Sequence, residues 1–175
     1  MNFNMAKLDI LVYPDSRLRQ IARSVTEFND ELEQLVADMA ETMYAAPGIG
    51  LAAVQVNVPW RVVVMDLSEE KDSLQVFINP DISELQGTTE SEEGCLSVPG
   101  IFAMVERAET VKINARDVKG NPFEIDADEI LSICIQHEID HLNGKVFVDY
   151  LSRMKQSRVR KKLKKESQVT ESEAA

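Results

Sequence analysis

The chain has two histidines in 175 residues, and they stand four apart with a glutamate directly after the first: His137-Glu138-Ile139-Asp140-His141. On a helix that spacing stacks both imidazoles on one face, where their ring nitrogens can share a single metal ion. Glu138 lies about 100° further round, beside the metal's open position, where a carboxylate can take a proton from water. Asp126 with Glu129 offers a capping box at the start of the helix, and Asn143-Gly144 ends it. Ile130, Leu131, Ile133, Cys134, Ile135, Ile139 and Leu142 make it apolar nearly all round, the pattern of a helix buried in the middle of a domain. Polar groups in such a helix need a partner, and a metal ion supplies one.

A hydrolytic metal site needs a third protein ligand and an open fourth position. With no histidine left, the third must be a cysteine, an aspartate or a glutamate. Two protease patterns fail: Phe147 stands where an extended H-E-x-x-H-x-x-G-x-x-H motif needs its last histidine, and Glu166 lies at the end of a basic segment. Cys134 shares the face of the histidines but is seven residues from His141, about 10 Å along the axis, too far for one ion. It suits the wall of a pocket beside His137. Cys95, in Glu92-Glu93-Gly94-Cys95-Leu96-Ser97, has no such constraint, and Gly94 would let the backbone come close.

The elements around these motifs follow from periodicity and punctuation. A short helical pattern occupies residues 14–24. A firmer helix begins near Asn29, carries Leu32, Leu35, Val36, Met39 and Met43 on one face, and stops at Ala46-Pro47-Gly48. Strands are expected at Arg61–Asp66, Val76–Asn79, Ile82–Thr88 and Glu109–Asp117, with a hairpin turn at Lys119-Gly120-Asn121 and a return over Pro122–Asp126. Glu90 to Gly100 reads as loop or strand edge, and Val146–Tyr150 as a short strand. The expected fold is α+β: antiparallel β-sheets packed around a central buried metal-binding helix, with a C-terminal helix. One domain spans residues 1–165, including a basic helix at 151–165, and residues 166–175 read as a disordered tail.

Composition bounds the rest. At 44% hydrophobic and 28% charged the chain is an ordinary globular one. Two cysteines, no visible secretory signal and no long apolar run point to the cytoplasm and to free thiols. The net charge of −11 is unevenly spread. Residues 151–165 hold eight lysines and arginines and no acid, leaving eleven basic against thirty acidic residues elsewhere. Such a body repels nucleic acid while the basic segment seeks an acidic surface, so sequence-specific nucleic-acid binding is not expected.

Three motifs in this order, Gly48-Ile49-Gly50-Leu51-Ala52-Ala53-Val54-Gln55, Glu93-Gly94-Cys95-Leu96-Ser97 with its preceding Glu92, and Gln136-His137-Glu138-Ile139-Asp140-His141, resemble those of the peptide deformylases over nearly the whole chain. The resemblance implies a cytoplasmic, monomeric metalloenzyme that removes formyl from the N-terminal formylmethionine of nascent chains. It implies Fe²⁺ as the working metal, with Zn²⁺, Ni²⁺ or Co²⁺ able to substitute, held by Cys95, His137 and His141. Glu138 becomes the general base, and the Gln55 amide and Leu96 N–H become donors to the developing oxyanion. Ile49, Gly50 and Gly94 would lie along the peptide main chain, while Ile130, Ile133 and Cys134 would line the methionine pocket. The basic helix 151–165 would dock on the ribosome. Ser91 stands where an apolar residue is usual, and Gly100-Ile101-Phe102 replaces a more polar or basic run, which leaves the preference for later peptide residues open. Arg107 reads as structural. Two other classes compete: a different metallohydrolase such as an endopeptidase on the same motif, and a ribosome-associated binding module with a structural metal.

Overall fold

The computed structural model describes residues 5–174; residues 1–4 of the expected domain and residue 175 of the expected tail lie outside it. A 3₁₀ turn at Ser16–Arg19 leads to helix α1 (Asp30–Ala45). Asn29 starts α1 by accepting a hydrogen bond from the Leu32 N–H at 3.1 Å, and Asp30, Glu31 and Glu33 complement the positive end of its dipole. Then come β1 (Gly50–Ala52), a 3₁₀ turn at Ala53–Val56, β2 (Val62–Met65), β3 (Gln75–Gln86), β4 (Thr89–Cys95), β5 (Val98–Arg107), β6 (Thr110–Arg116) and β7 (Pro122–Ala127). Helix α2 (Glu129–Leu142), a 3₁₀ turn at Phe147–Tyr150 and helix α3 (Arg153–Ala174) complete the order.

All pairs between these named strands are antiparallel. Five strands form a sheet in the order β1-β2-β3-β6-β7, and β4 pairs with β5 alone. This is the expected α+β fold with antiparallel sheets, a central helix and a C-terminal helix. One face of the large sheet (Val63, Met65, Phe77, Val111, Ile113) packs on Ile135, Ile139 and Leu142 of α2. The other face (Val62, Val64, Ile78) packs on Leu32, Val36, Met39 and Met43 of α1. Ile135 and Leu142 have no exposed surface, and each such side chain contributes roughly 1.5–3 kcal/mol by leaving water. A third cluster joins Val98 and Val105 of the hairpin to Phe147, Val148, Val159 and Leu163.

Several local expectations change. The two strands expected at 76–88 are one, β3, bent by register shifts between Ile78 and Asp81 and between Ile82 and Glu84. Asn79 takes the bend with φ of +51°, and its side-chain amide exchanges two hydrogen bonds with the Val25 backbone. Residues 89–107, read partly as loop, form the β4–β5 hairpin. Asp126 does not cap α2, because it lies in β7 opposite Lys112. Asp128 precedes the helix without a side-chain cap, and Glu129 enters it with φ of +49°.

Val146–Tyr150 is not a strand. Asp149 draws the chain into a turn by accepting from the Val146 N–H at 3.1 Å while held by Arg19. Helix α3 runs to Ala174 rather than ending near Lys165, since Glu166, Gln168 and Glu171 suit a helix well. Its buried residues are Val159 and Leu163, whereas Met154 is exposed. No helix among the described residues is long and apolar enough to cross a membrane.

Candidate metal centre

Much of the buried face of α2 is polar. Ser132, Gln136, His137, Glu138 and His141 are all enclosed. Gln136 is fully engaged, accepting from the Ala108 N–H and donating to the Ala108 and Ser132 carbonyls and the Ser132 hydroxyl. The two histidines stack one turn apart, their rings edge to face with centroids at 5.0 Å. Their Nε2 atoms lie 3.3 Å apart, and Cys95 Sγ, at the end of β4, lies 3.3 Å from His141 Nε2.

All three donor atoms fall within 4.8 Å of one another. Two metal–nitrogen bonds of roughly 2.0–2.1 Å at a tetrahedral angle would hold their nitrogens about 3.3 Å apart. The donor set therefore fits a single divalent transition metal, with one soft thiolate and two imidazoles. Burial works against protonation of His137, yet its bonds to Cys95 and Glu93 raise its pKa well above that of free imidazole. His141, buried beside His137 and within the field of Arg107, is driven well below it.

The ligand rings are held by a buried ionic network. Glu93 Oε1 pairs with His137 Nδ1 at 2.8 Å, fixing the ring so that Nε2 faces the thiolate and the other histidine. Arg107 clamps Glu93 with two hydrogen bonds of 2.8 Å and reaches Asp140 at 2.6 Å. Tyr150 donates to the same Asp140 oxygen at 2.8 Å, and the Arg107 guanidinium sits 4.9 Å from the Tyr150 ring centre. Burial alone would raise the Glu93 carboxyl, but hydrogen bonds from Arg107 and His137 outweigh it and hold it at about 2. Arg107 is structural, as its sequence context indicated. Its particular partners are 14 and 33 residues away, and no local pattern announced them.

Glu138 is treated differently by its surroundings. Burial pushes its carboxyl up to about 7, against the pull of His137 and Arg107. Its Oε2 is buried and accepts no hydrogen bond from any described residue, which leaves an acceptor ready for an incoming proton. A side chain at Gly50 would bring a Cβ within 2.7 Å of Glu138 Oε1, so the glycine is what lets β1 approach the carboxylate.

Gln55 follows β1 in its 3₁₀ turn. Its Oε1 accepts from the Ala52 N–H at 2.9 Å, which turns its amide N–H₂ towards Ser97 Oγ (3.0 Å) and Cys95 Sγ (3.6 Å). The three motifs therefore meet at one place. Leu96 is half-buried, and its Cδ1 fills the space where a Cβ on Gly48 would stand, at 2.6 Å. Ile49 and Ile130 are exposed, at 39% and 55%, and Ile133 and Cys134 are half-buried. Burial and the neighbouring Glu138 push the Cys134 thiol up to about 12, so it stays protonated and is a poor competitor for metal. Sequence reasoning missed Glu93, Asp140 and Tyr150 as supports. Two of them lie inside the motifs, beside Gly94 and His141.

Comparison with known proteins identifies the relatives of this chain. The polypeptide deformylase family model matches residues 7–157. A peptide deformylase of Chromobacterium violaceum is 60% identical over 161 residues, covering 92% of this chain and 96% of its own. Peptide deformylase 2 of Nitrosomonas europaea is 58% identical, covering 94% of this chain and 89% of its own. The crystal structure of a peptide deformylase from Legionella pneumophila superposes with a TM-score of 0.90 at 48% identity, over 94% of this chain and 98% of that one. That of the Ehrlichia chaffeensis peptide deformylase in complex with actinonin gives 0.88 at 41% identity, over 93% and 98%.

Proposed function

The chain belongs to the polypeptide deformylase family, and on that premise we propose that it hydrolyses the N-formyl group from the N-terminal formylmethionine of new polypeptides, releasing formate and a free amine. The observation that carries the reading is the convergence of Cys95, His137 and His141 within 4.8 Å, beside the buried Glu138 carboxyl, whose Oε2 has no hydrogen-bond partner among the described residues. A divalent metal held by those three side chains would activate water and polarise the formyl carbonyl. Fe²⁺ is the proposed metal, with Zn²⁺, Ni²⁺ or Co²⁺ able to take its place.

Glu138 takes the proton of the attacking water and hands it to the departing amine nitrogen, serving in turn as general base and general acid. The Gln55 amide and the Leu96 backbone N–H donate to the formyl oxygen as it becomes negative. Fixed donors of this kind stabilise a developing charge without having to reorganise. The peptide lies along Ile49, Gly50 and Gly94 as an added strand. Ile130, Ile133 and Cys134 border the methionine side chain. Residues 151–165 dock on the ribosome, where their eight basic groups meet RNA phosphates. The protein acts as a cytoplasmic monomer whose catalytic domain spans residues 1–165.

The test is to purify the protein without oxygen, count metal per chain, and measure formate release from formyl-Met-Ala-Ser beside a casein digest. Formate with about one metal per chain and intact casein is the expected result. Casein cleavage without formate would favour an endopeptidase on the same motif.

A further inference from the structure

Helix α2 borders a second concavity besides the metal centre. His137 and His141 share one face of the helix. Gln136, Ile139, Asp140 and Asn143, also at helical spacing, line a cavity of about 930 Å³ on the adjoining face. Its other walls come from the bend of β3, the β3–β4 turn, the end of β5 and Tyr150. A concavity of this size, with a few polar groups among apolar ones, is of the kind that takes small ligands.

Arg61 is the unusual member of the lining. Arg17, Arg19 and Arg107 each pair with a carboxylate. Half-buried Arg61 meets neutral partners only, the Pro80 carbonyl at 2.8 Å and Asn143 Oδ1 at 3.2 Å. Those two bonds tie the β3 bend to the end of α2, but a guanidinium has five N–H donors. The others have no partner among the described residues, and burial works against the charge they carry.

Asp81 lies near enough to favour the Arg61 charge, yet makes no ion pair with it. Asp81 and Glu106, both exposed, line the same cavity and pair with no cation among the described residues. A simple anion is repelled by these carboxylates, and a simple cation by Arg61. A molecule that carries both charges on one carbon suits both. Ile82 and Leu85 border the space as well, and Leu85 is 63% exposed.

We propose that this cavity binds a free α-amino acid with a large apolar side chain: its carboxylate on Arg61, its ammonium on Asp81, its side chain against Ile82 and Leu85. The site stands apart from the hydrolase reading, since Arg61 and Asp81 bond to none of Cys95, His137 and His141. Arg107 and Asp140 line it too, so its occupant adjoins the network that orients His137.

The test titrates the Zn²⁺-loaded protein with L-leucine, N-acetyl-L-leucine and L-leucinamide, following backbone amide signals by NMR. L-leucine should bind with a Kd of about 1 mM and shift the signals of Asp81, Ile82 and Asn143. The acetyl compound lacks the ammonium and leucinamide lacks the carboxylate, so each should bind at least about tenfold more weakly. Arg61→Gln should weaken L-leucine by about tenfold. Should that variant not fold, Asp81→Asn, at an exposed position, should bring L-leucine and N-acetyl-L-leucine to equal affinity. No saturation by about 20 mM L-leucine, or equal binding of all three compounds to the native protein, would overturn the proposal. So would shifts confined to the residues around Cys95 and His141 and unchanged in Arg61→Gln.

Discussion

Helices α2 and α3 are both rich in titratable side chains, but their settings differ. In α2, eight of fourteen residues are buried, and Ser132, Gln136, His137 and His141 among them meet a side-chain or backbone partner at short range. In α3, two of twenty-two are buried, and its lysines and arginines stand mostly in water. Charge in α2 is positional: His137 and Asp140 act through particular partners, Glu93 and Arg107. Charge in α3 acts as a sum, screened by salt and indifferent to which lysine supplies it.

The largest expected effect falls where the buried network meets the metal. Cys95→Ser should lose most bound metal and take formate release to background, whereas Cys134→Ser should keep the metal and disturb packing only. Metal analysis of both purified variants checks this, and equal loss would break the distinction between the two thiols. One shell out, Glu93→Gln removes the charge that orients His137, and metal affinity should fall by about 10- to 100-fold. Competition with a chelator measures it.

Arg107→Met leaves the buried Glu93 and the partly buried Asp140 without their cation, a loss of about 3–5 kcal/mol by denaturant unfolding. The pH dependence follows from the same pair. Because the folded Glu93 carboxyl sits at about 2, below its usual 4.5, it contributes stability above about pH 4.5 that is lost as the pH falls towards 2. Unfolding free energies measured from pH 7 down to pH 3 should decline in the native protein, and less steeply in Glu93→Gln.

The smallest effect belongs to α3. Replacing Lys161, Lys162, Lys164 and Lys165 with glutamine should change stability by no more than about 0.5 kcal/mol. Hydrolysis of short formyl peptides should hold, while co-sedimentation with ribosomes at low salt should fall. Charge replacement is the cleaner test, since truncation at Ser152 would also remove Val159 and Leu163 from the third core cluster. Undiminished ribosome binding would mean that α3 merely offsets the acidic body.

How much of this was legible in the sequence depended on whether the signal was local. The histidine pair declared itself because a helix converts a spacing of four directly into shared geometry. Helix α1 was readable from Asn29 and its apolar stripe for the same reason. Strand β4 was not, because its inner positions hold Ser91, Glu93 and Cys95, so the alternation that marks a half-buried strand is missing where the strand serves the site. The network of Glu93, Arg107, Asp140 and Tyr150 is assembled by a hairpin and a returning helix. Charges that pair across such distances leave no periodic trace. The turn at Phe147–Tyr150 was mistaken for a strand because its apolar residues are β-formers, while a single carboxylate, Asp149, decides the backbone.

The central claim is that Cys95, His137 and His141 hold a metal beside which Glu138 moves the proton. The most direct measurement is metal content and formate release for Glu138→Gln prepared without oxygen. Glutamine has nearly the same shape but cannot accept the proton, so the variant should bind metal as the native protein does. It should lose turnover by about 10²-fold or more. Formate release near the native rate with the metal in place would contradict the assignment of Glu138 as the base.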